Sequence, residues 1–231
     1  MEDGVADAYL VRPDAQPRGA VLLIMDAYGL RPQIEAMADR IGEQGYVVLA
    51  PNVFYRDVRG ELLTTEEISG GNAFANVLPL VRGLTPDVIE RDGPAYFDAL
   101  GDGPVAITGY CMGGRAGWHL ATAYPNRVAA LGGFHVGGLV TDGDDSPHRR
   151  AGHLAAEVYL GHADNDRNMT PQQMATLDRA LDDAGVRHRS ELYEGAAHGY
   201  TMADLPVYDE AAAERHYDAL FALLDRTIAR G

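Results

Sequence analysis

The chain has 231 residues and carries 34 acidic against 19 Lys and Arg side chains, for a formal charge of −15 at pH 7. That balance argues against nucleic-acid backbones and anionic membranes as partners and for high solubility. The length and the 46% apolar content fit one globular domain over residues 1–231, and a single cysteine excludes an internal disulfide framework and a multi-cysteine zinc site.

No apolar run is long enough to span a bilayer. The first ten residues, MEDGVADAYL, hold acidic groups and no basic stretch, so they do not read as a signal peptide and the expected location is cytoplasmic. Residues 5–12 read as an edge strand. Ala20 to Met25 is a continuous apolar run, the pattern of a central parallel strand. Asp26-Ala27-Tyr28-Gly29 follows it, and Pro32 opens a helix in which Ile34, Met37, Ala38 and Ile41 share a face. Gly45 ends that helix before a strand over 46–50. Strand, helix, strand in this order predicts a βαβ unit and a mostly parallel sheet flanked by helices, an α/β fold.

Residues 57–84 are broken by Gly60, Gly70, Gly71 and Gly83, with short helices expected at 65–68 and 73–81 on the rim of a cleft. Thr85-Pro86 starts another helix, which Gly93-Pro94 is expected to interrupt. Val105 to Thr108 is a buried strand, and Gly109-Tyr110-Cys111-Met112-Gly113-Gly114 then leads into a helix through Trp118. This is the G-x-nucleophile-x-G turn with cysteine at its apex. Its flanking glycines are required because side chains there would strike the adjoining strand and helix, and the helix N-terminus favours a thiolate.

Val128 to Gly132 is the next buried strand. The segment 134–156 is a loop-rich crossover bordering the same edge. Its Asp142, Asp144, Asp145, His148 and His153 match no short zinc motif and read as a solvated loop. A strand at 158–161 precedes Asp164 and Asp166. Thr170-Pro171-Gln172-Gln173 is a capped helix start, with Met174, Leu177 and Leu181 as its apolar stripe. A strand over 188–193 leads to the glycine-flanked His198. The final helix presents Tyr217, Leu220, Phe221, Leu224 and Ile228 on one face.

A thiol nucleophile needs a base, and the base needs an acid to hold its tautomer. In an open parallel sheet the loops at the carboxyl ends converge, which brings Cys111, the Asp164/Asp166 loop and His198 to one rim in the order nucleophile, acid, histidine. Position leaves both aspartates open as the acid, and His162 is a secondary histidine candidate. An EF-hand through 164, 166 and 168 is excluded, because Met169 and Ala175 occupy positions that need glycine and glutamate. No metal site is expected.

GYCMGG at 109–114 and GAAHGY at 195–200 resemble the dienelactone hydrolase family of α/β-hydrolases, and the resemblance runs from about residue 19 to 225. It implies a Cys111-Asp166-His198 triad acting on small esters or lactones with no cofactor; a monomer or a homodimer is expected, the sequence leaving the choice open. ADND at 163–166 favours Asp166 over Asp164. The resemblance further implies an oxyanion hole from the backbone N–H groups of Ala27 and Met112. Asp26 stands where the family often has a glutamate near the resting thiol, and Tyr28 and Arg56 are further candidate contacts. Met202 stands where the dienelactone pattern has a carboxylate-binding arginine, so Tyr200 and Met202 imply a more apolar pocket. Two rival readings place the same scaffold in other classes: a catalytically silent small-molecule binder, or a peroxide-sensitive thiol protein.

Overall fold

The computed structural model describes residues 1–70 and 72–229; Gly71, one of the glycines read as interrupting the 57–84 segment, lies outside the described residues. Its sheet is built from β1 (Ala8–Val11), β2 (Gly19–Ile24), β3 (Tyr46–Pro51), β4 (Val105–Tyr110), β5 (Val128–Phe134), β6 (Glu157–Ala163) and β7 (His188–Tyr193), in the order β1-β3-β2-β4-β5-β6-β7. Only β1 runs antiparallel, against β3. Burial follows composition: β3 and β4 are buried along their whole length, whereas β1 and the polar β7 are half-wet edges.

Helices cover the sheet. They are α1 (Pro32–Gly42), α2 (Thr65–Ser69), α3 (Ala73–Gly83), α4 (Pro86–Leu100), α5 (Met112–Ala123), α6 (Pro171–Asp183) and α7 (Glu210–Thr227), with a 3-10 turn at Pro147–His153 in the crossover. Arg40 of α1 forks onto Glu214 of α7 at 2.7 and 2.5 Å and lies over the Tyr217 ring, joining those two helices. In α1 the buried residues include the four apolar ones that periodicity selects. In α6, Thr170 and Gln173 form the reciprocal capping box that the sequence predicts. The buried face of α7 differs in detail: Leu223 takes the buried place expected for Phe221, and His216 is sealed inside with it.

The expected break at Gly93-Pro94 does not occur, and α4 runs straight through both residues. Pro94 deprives the Glu90 carbonyl of its helical partner, but the Tyr124 hydroxyl donates to that oxygen at 2.7 Å. Gly93 lets the two helices meet, since a Cβ there would lie 2.8 Å from the Tyr124 ring and 2.9 Å from Leu120. A side chain 34 residues away thus completes the helix.

Every parallel strand points its carboxyl end at one edge. There Asp26 and Ala27 follow β2, Cys111 follows β4, His135 follows β5, Asp166 lies beyond β6 and His198 beyond β7.

Candidate active site

Cys111 sits between β4 and α5 at φ 55° and ψ −118°, a conformation that L side chains rarely adopt. The strain is held by close packing: a Cβ at Gly109 would lie 2.4 Å from the Gly113 carbonyl oxygen, and one at Gly113 would lie 2.3 Å from the carbonyl oxygens of Ile24 and Met25. Only glycine fits at either place. The Cys111 N–H donates to the Phe134 carbonyl at 3.1 Å, tying the apex to β5.

The Cys111 sulfur lies 3.1 Å from Nε2 of His198, whose Nδ1 lies 2.6 Å from an oxygen of Asp166. Asp166 is buried, and its other oxygen accepts from the Asn168 backbone N–H at 2.8 Å. Burial by itself would push the His198 pKa down; its hydrogen bonds to Asp166 and Cys111 outweigh this and raise it to about 10. For Asp166, burial raises the pKa, but the hydrogen bond to His198 and the imidazolium charge prevail and hold it below the ordinary carboxylate value. The two loop aspartates have different partners: Asp164 accepts from the Gly195 N–H at 3.0 Å, which braces the turn carrying His198, whereas Asp166 bonds the imidazole.

The thiol and imidazole open into a cavity of about 700 Å³. Asp26, Ala27, Tyr28, Met112 and His135 line it together with the thiol and imidazole, as do Ile68, Phe74, Val81 and residues of the 137–142 loop. Residues of both loop-rich segments thus line this cavity. Met112 is the first residue of α5, where backbone N–H groups have no intrahelical acceptor.

The sequence profile of the dienelactone hydrolase family matches residues 6–228. The chain belongs to that family. A Salmonella typhi protein with a provisional carboxymethylenebutenolidase name is 26% identical over 220 residues, covering 90% of this chain and 77% of its own. The mouse carboxymethylenebutenolidase homolog is 24% identical over 218 residues, covering 88% and 82%. Among solved structures, a dienelactone hydrolase-like promiscuous phosphotriesterase from metagenomic libraries superposes with a TM-score of 0.76 at 20% identity, over 98% of this chain and 100% of that one. The dienelactone hydrolase of Anabaena variabilis gives 0.67 at 17% identity, over 96% and 92%. The chain shares its fold with these structures, and the family match spans residues 6–228.

Within that family frame, several expected contacts fall elsewhere. Arg56 does not line the cavity; its guanidinium forks onto buried Asp92 at 2.8 and 2.7 Å and also binds Asp3, which makes it a brace for α4. Tyr200 and Met202 are fully buried beneath the site, Tyr200 donating to the Gly161 carbonyl and stacking on Tyr193. The apolar wall comes instead from Ile68, Phe74, Val81, Leu205 and Val207. Asp26 makes no hydrogen bond to the thiol: Arg31 donates to its two oxygens at 2.7 and 3.1 Å, and the Tyr28 N–H adds a third donor at 3.0 Å. His162 is engaged with Ser190 at 2.8 Å, and burial pushes its pKa down to about 4.

Three residues near the site escaped the sequence reading. His135, at φ 41°, is buried with Nε2 2.7 Å from the Thr201 hydroxyl, and its ring meets the His198 ring edge-to-face at 5.2 Å. Its place directly after β5, on the carboxyl edge, was the available signal. Arg31 bridges Asp26 and Asp204, and Arg115 lines the cavity. Neither carries a motif.

Proposed function

We propose that this hydrolase cleaves small esters or lactones through a covalent acyl-enzyme on Cys111, with His198 as general base and acid and Asp166 as its orienting carboxylate. The observation that carries the reading is the continuous relay of 3.1 and 2.6 Å from sulfur to imidazole to carboxylate, opening onto a cavity of small-molecule size. The carboxymethylenebutenolidase names of the relatives support a lactone among the substrates.

The raised His198 pKa favours transfer of the thiol proton to Nε2, leaving a thiolate beside an imidazolium. The thiolate attacks the carbonyl carbon, and the N–H groups of Ala27 and Met112 receive the developing oxyanion. As the tetrahedral intermediate collapses, the C–O bond breaks and His198 gives its proton to the leaving alcohol, which stays tethered if the substrate is a lactone. His198 then takes a proton from water, whose oxygen attacks the thioester; the acid departs and the thiol is restored. Electrostatic support for the oxyanion contributes the larger part of the acceleration, about 100- to 1,000-fold per donor.

The test is a panel of short-chain aryl esters and lactones on wild type and Cys111→Ala, with intact mass measured after rapid quench. Turnover with a thioester adduct on the wild-type chain is expected. Turnover without the adduct, or turnover retained in Cys111→Ala, defeats the covalent route.

A further inference from the structure

We propose that Arg115 anchors an anionic group on the acyl part of the substrate, so that the site prefers half-esters: an acyl chain ending in a carboxylate, joined to an apolar alcohol. This rests on the hydrolase reading above and names its substrate class. Arg115 lies in the first turn of α5, four residues beyond the nucleophile, half-buried in the cavity wall. Among the described residues nothing hydrogen-bonds or ion-pairs with its guanidinium. The neighbouring cation, Arg31, contrasts with it, being saturated by Asp26 and Asp204. A guanidinium in the cavity wall with its donors uncommitted is free to take an arriving carboxylate in bidentate contact. Room is kept for it as well: Gly138, at φ +73°, carries no side chain where a Cβ would come within 3.3 Å of Nη1.

The direction of the substrate follows from the chemistry. His198 protonates the leaving oxygen, so the alcohol departs on the side of His198. The chain just after that residue supplies Leu205, Pro206 and Val207, facing Phe74 and Ile68. That side is apolar, and Phe74 and Val207 remain 49% and 41% exposed at its mouth. The acyl end is left against α5 and the 137–142 loop, where Arg115 stands. This cation comes from a different element than the arginine of the dienelactone pattern, whose position is taken here by fully buried Met202. Asp142, an exposed rim carboxylate, is the other lining charge without a partner among the described residues, and it disfavours a second negative charge on the acyl chain.

The decisive pair is mono-(4-nitrophenyl) adipate against 4-nitrophenyl hexanoate, equal in acyl carbon count and differing in terminal charge, with spontaneous hydrolysis subtracted. Wild type is expected to favour the adipate half-ester in kcat/KM. Arg115→Gln should lower the adipate-to-hexanoate ratio about 10- to 100-fold, and Arg115→Lys should restore part of it. An unchanged ratio in Arg115→Gln, or no preference in wild type, overturns the proposal while leaving the hydrolase reading intact. Should wild type turn over neither ester, binding decides. Calorimetry of monoethyl adipate on Cys111→Ala should then show affinity that weakens with added salt and drops about tenfold or more on adding Arg115→Gln, whereas equal affinities refute the anchor.

Discussion

His198 is 29% exposed to the cavity whereas His216 is fully buried, and their pKa values shift opposite ways. At the rim, His198 faces a carboxylate and a thiol, and its pKa rises to about 10. Beneath the sheet, fully buried His216 lies between the Tyr110 hydroxyl at 2.9 Å and the Ala213 carbonyl at 2.9 Å, with Phe134 packed against its ring. Burial pushes its pKa down to about 3, and the hydrogen bond to Ala213 recovers little. Its hydroxyl partner, Tyr110, immediately precedes Cys111 in the chain. Burial therefore does not make a histidine a base; a buried counter-charge does.

The largest expected effect tests the rim side of this comparison. Cys111→Ala and His198→Ala should each lower kcat by about a thousandfold or more, measured on any ester that wild type turns over. Asp166→Asn should cost about 100- to 10,000-fold by losing the tautomer and the counter-charge, whereas Asp164→Asn should leave turnover near wild type in the same assay. If the two aspartate variants behave alike, the partner of His198 has been misassigned. Nitrogen NMR of the imidazoles sharpens the point: His198 should stay protonated well above pH 6.5 in wild type and lose that in Asp166→Asn, while His216 should stay neutral in mildly acidic solution.

Stability should show the same opposition. A raised folded-state pKa makes the His198 contribution complete below about pH 6.5 and lost as pH climbs towards 10; a lowered one makes the His216 environment favourable above about 6.5 and unfavourable as pH falls towards 3. Urea unfolding across pH should lose its alkaline slope in His198→Gln and its acid slope in His216→Gln, and a shared sign would break the comparison. At one pH, His216→Phe should destabilise by about 1–3 kcal/mol by removing the acceptor of the buried Tyr110 hydroxyl, which keeps only the Thr108 hydroxyl as a partner, with kcat little changed. The smallest effect is Thr170→Ala, which removes the α6 cap for about 1 kcal/mol in the same denaturation assay and spares activity.

Legibility from sequence tracked how local the deciding interaction is. The Thr170–Gln173 box, the α1 stripe and the Gly109–Gly113 turn are all settled within a few residues, and all appear where the pattern puts them. The convergence of Cys111, Asp166 and His198 was legible through one topological rule, that parallel strands share a carboxyl edge. What failed depended on distant partners: α4 survives Pro94 because of Tyr124, and Arg56 leaves the site because Asp92 captures it. Tyr200 and Met202 sit close to His198 in sequence, but the turn after it sends both inward, a direction that no residue-type pattern encodes.

Arg31 donates at 2.7 and 3.1 Å to Asp26 and at 2.6 and 3.2 Å to Asp204. It thereby fastens the segment bearing Ala27 to the segment that follows His198, so parting these two walls requires breaking that clasp. Amide exchange should accordingly be faster at Ile68 and Phe74, in α2 and α3, than at Ala27 and Leu205 beside the clasp. Arg31→Ala should free the clasped side to gape as well.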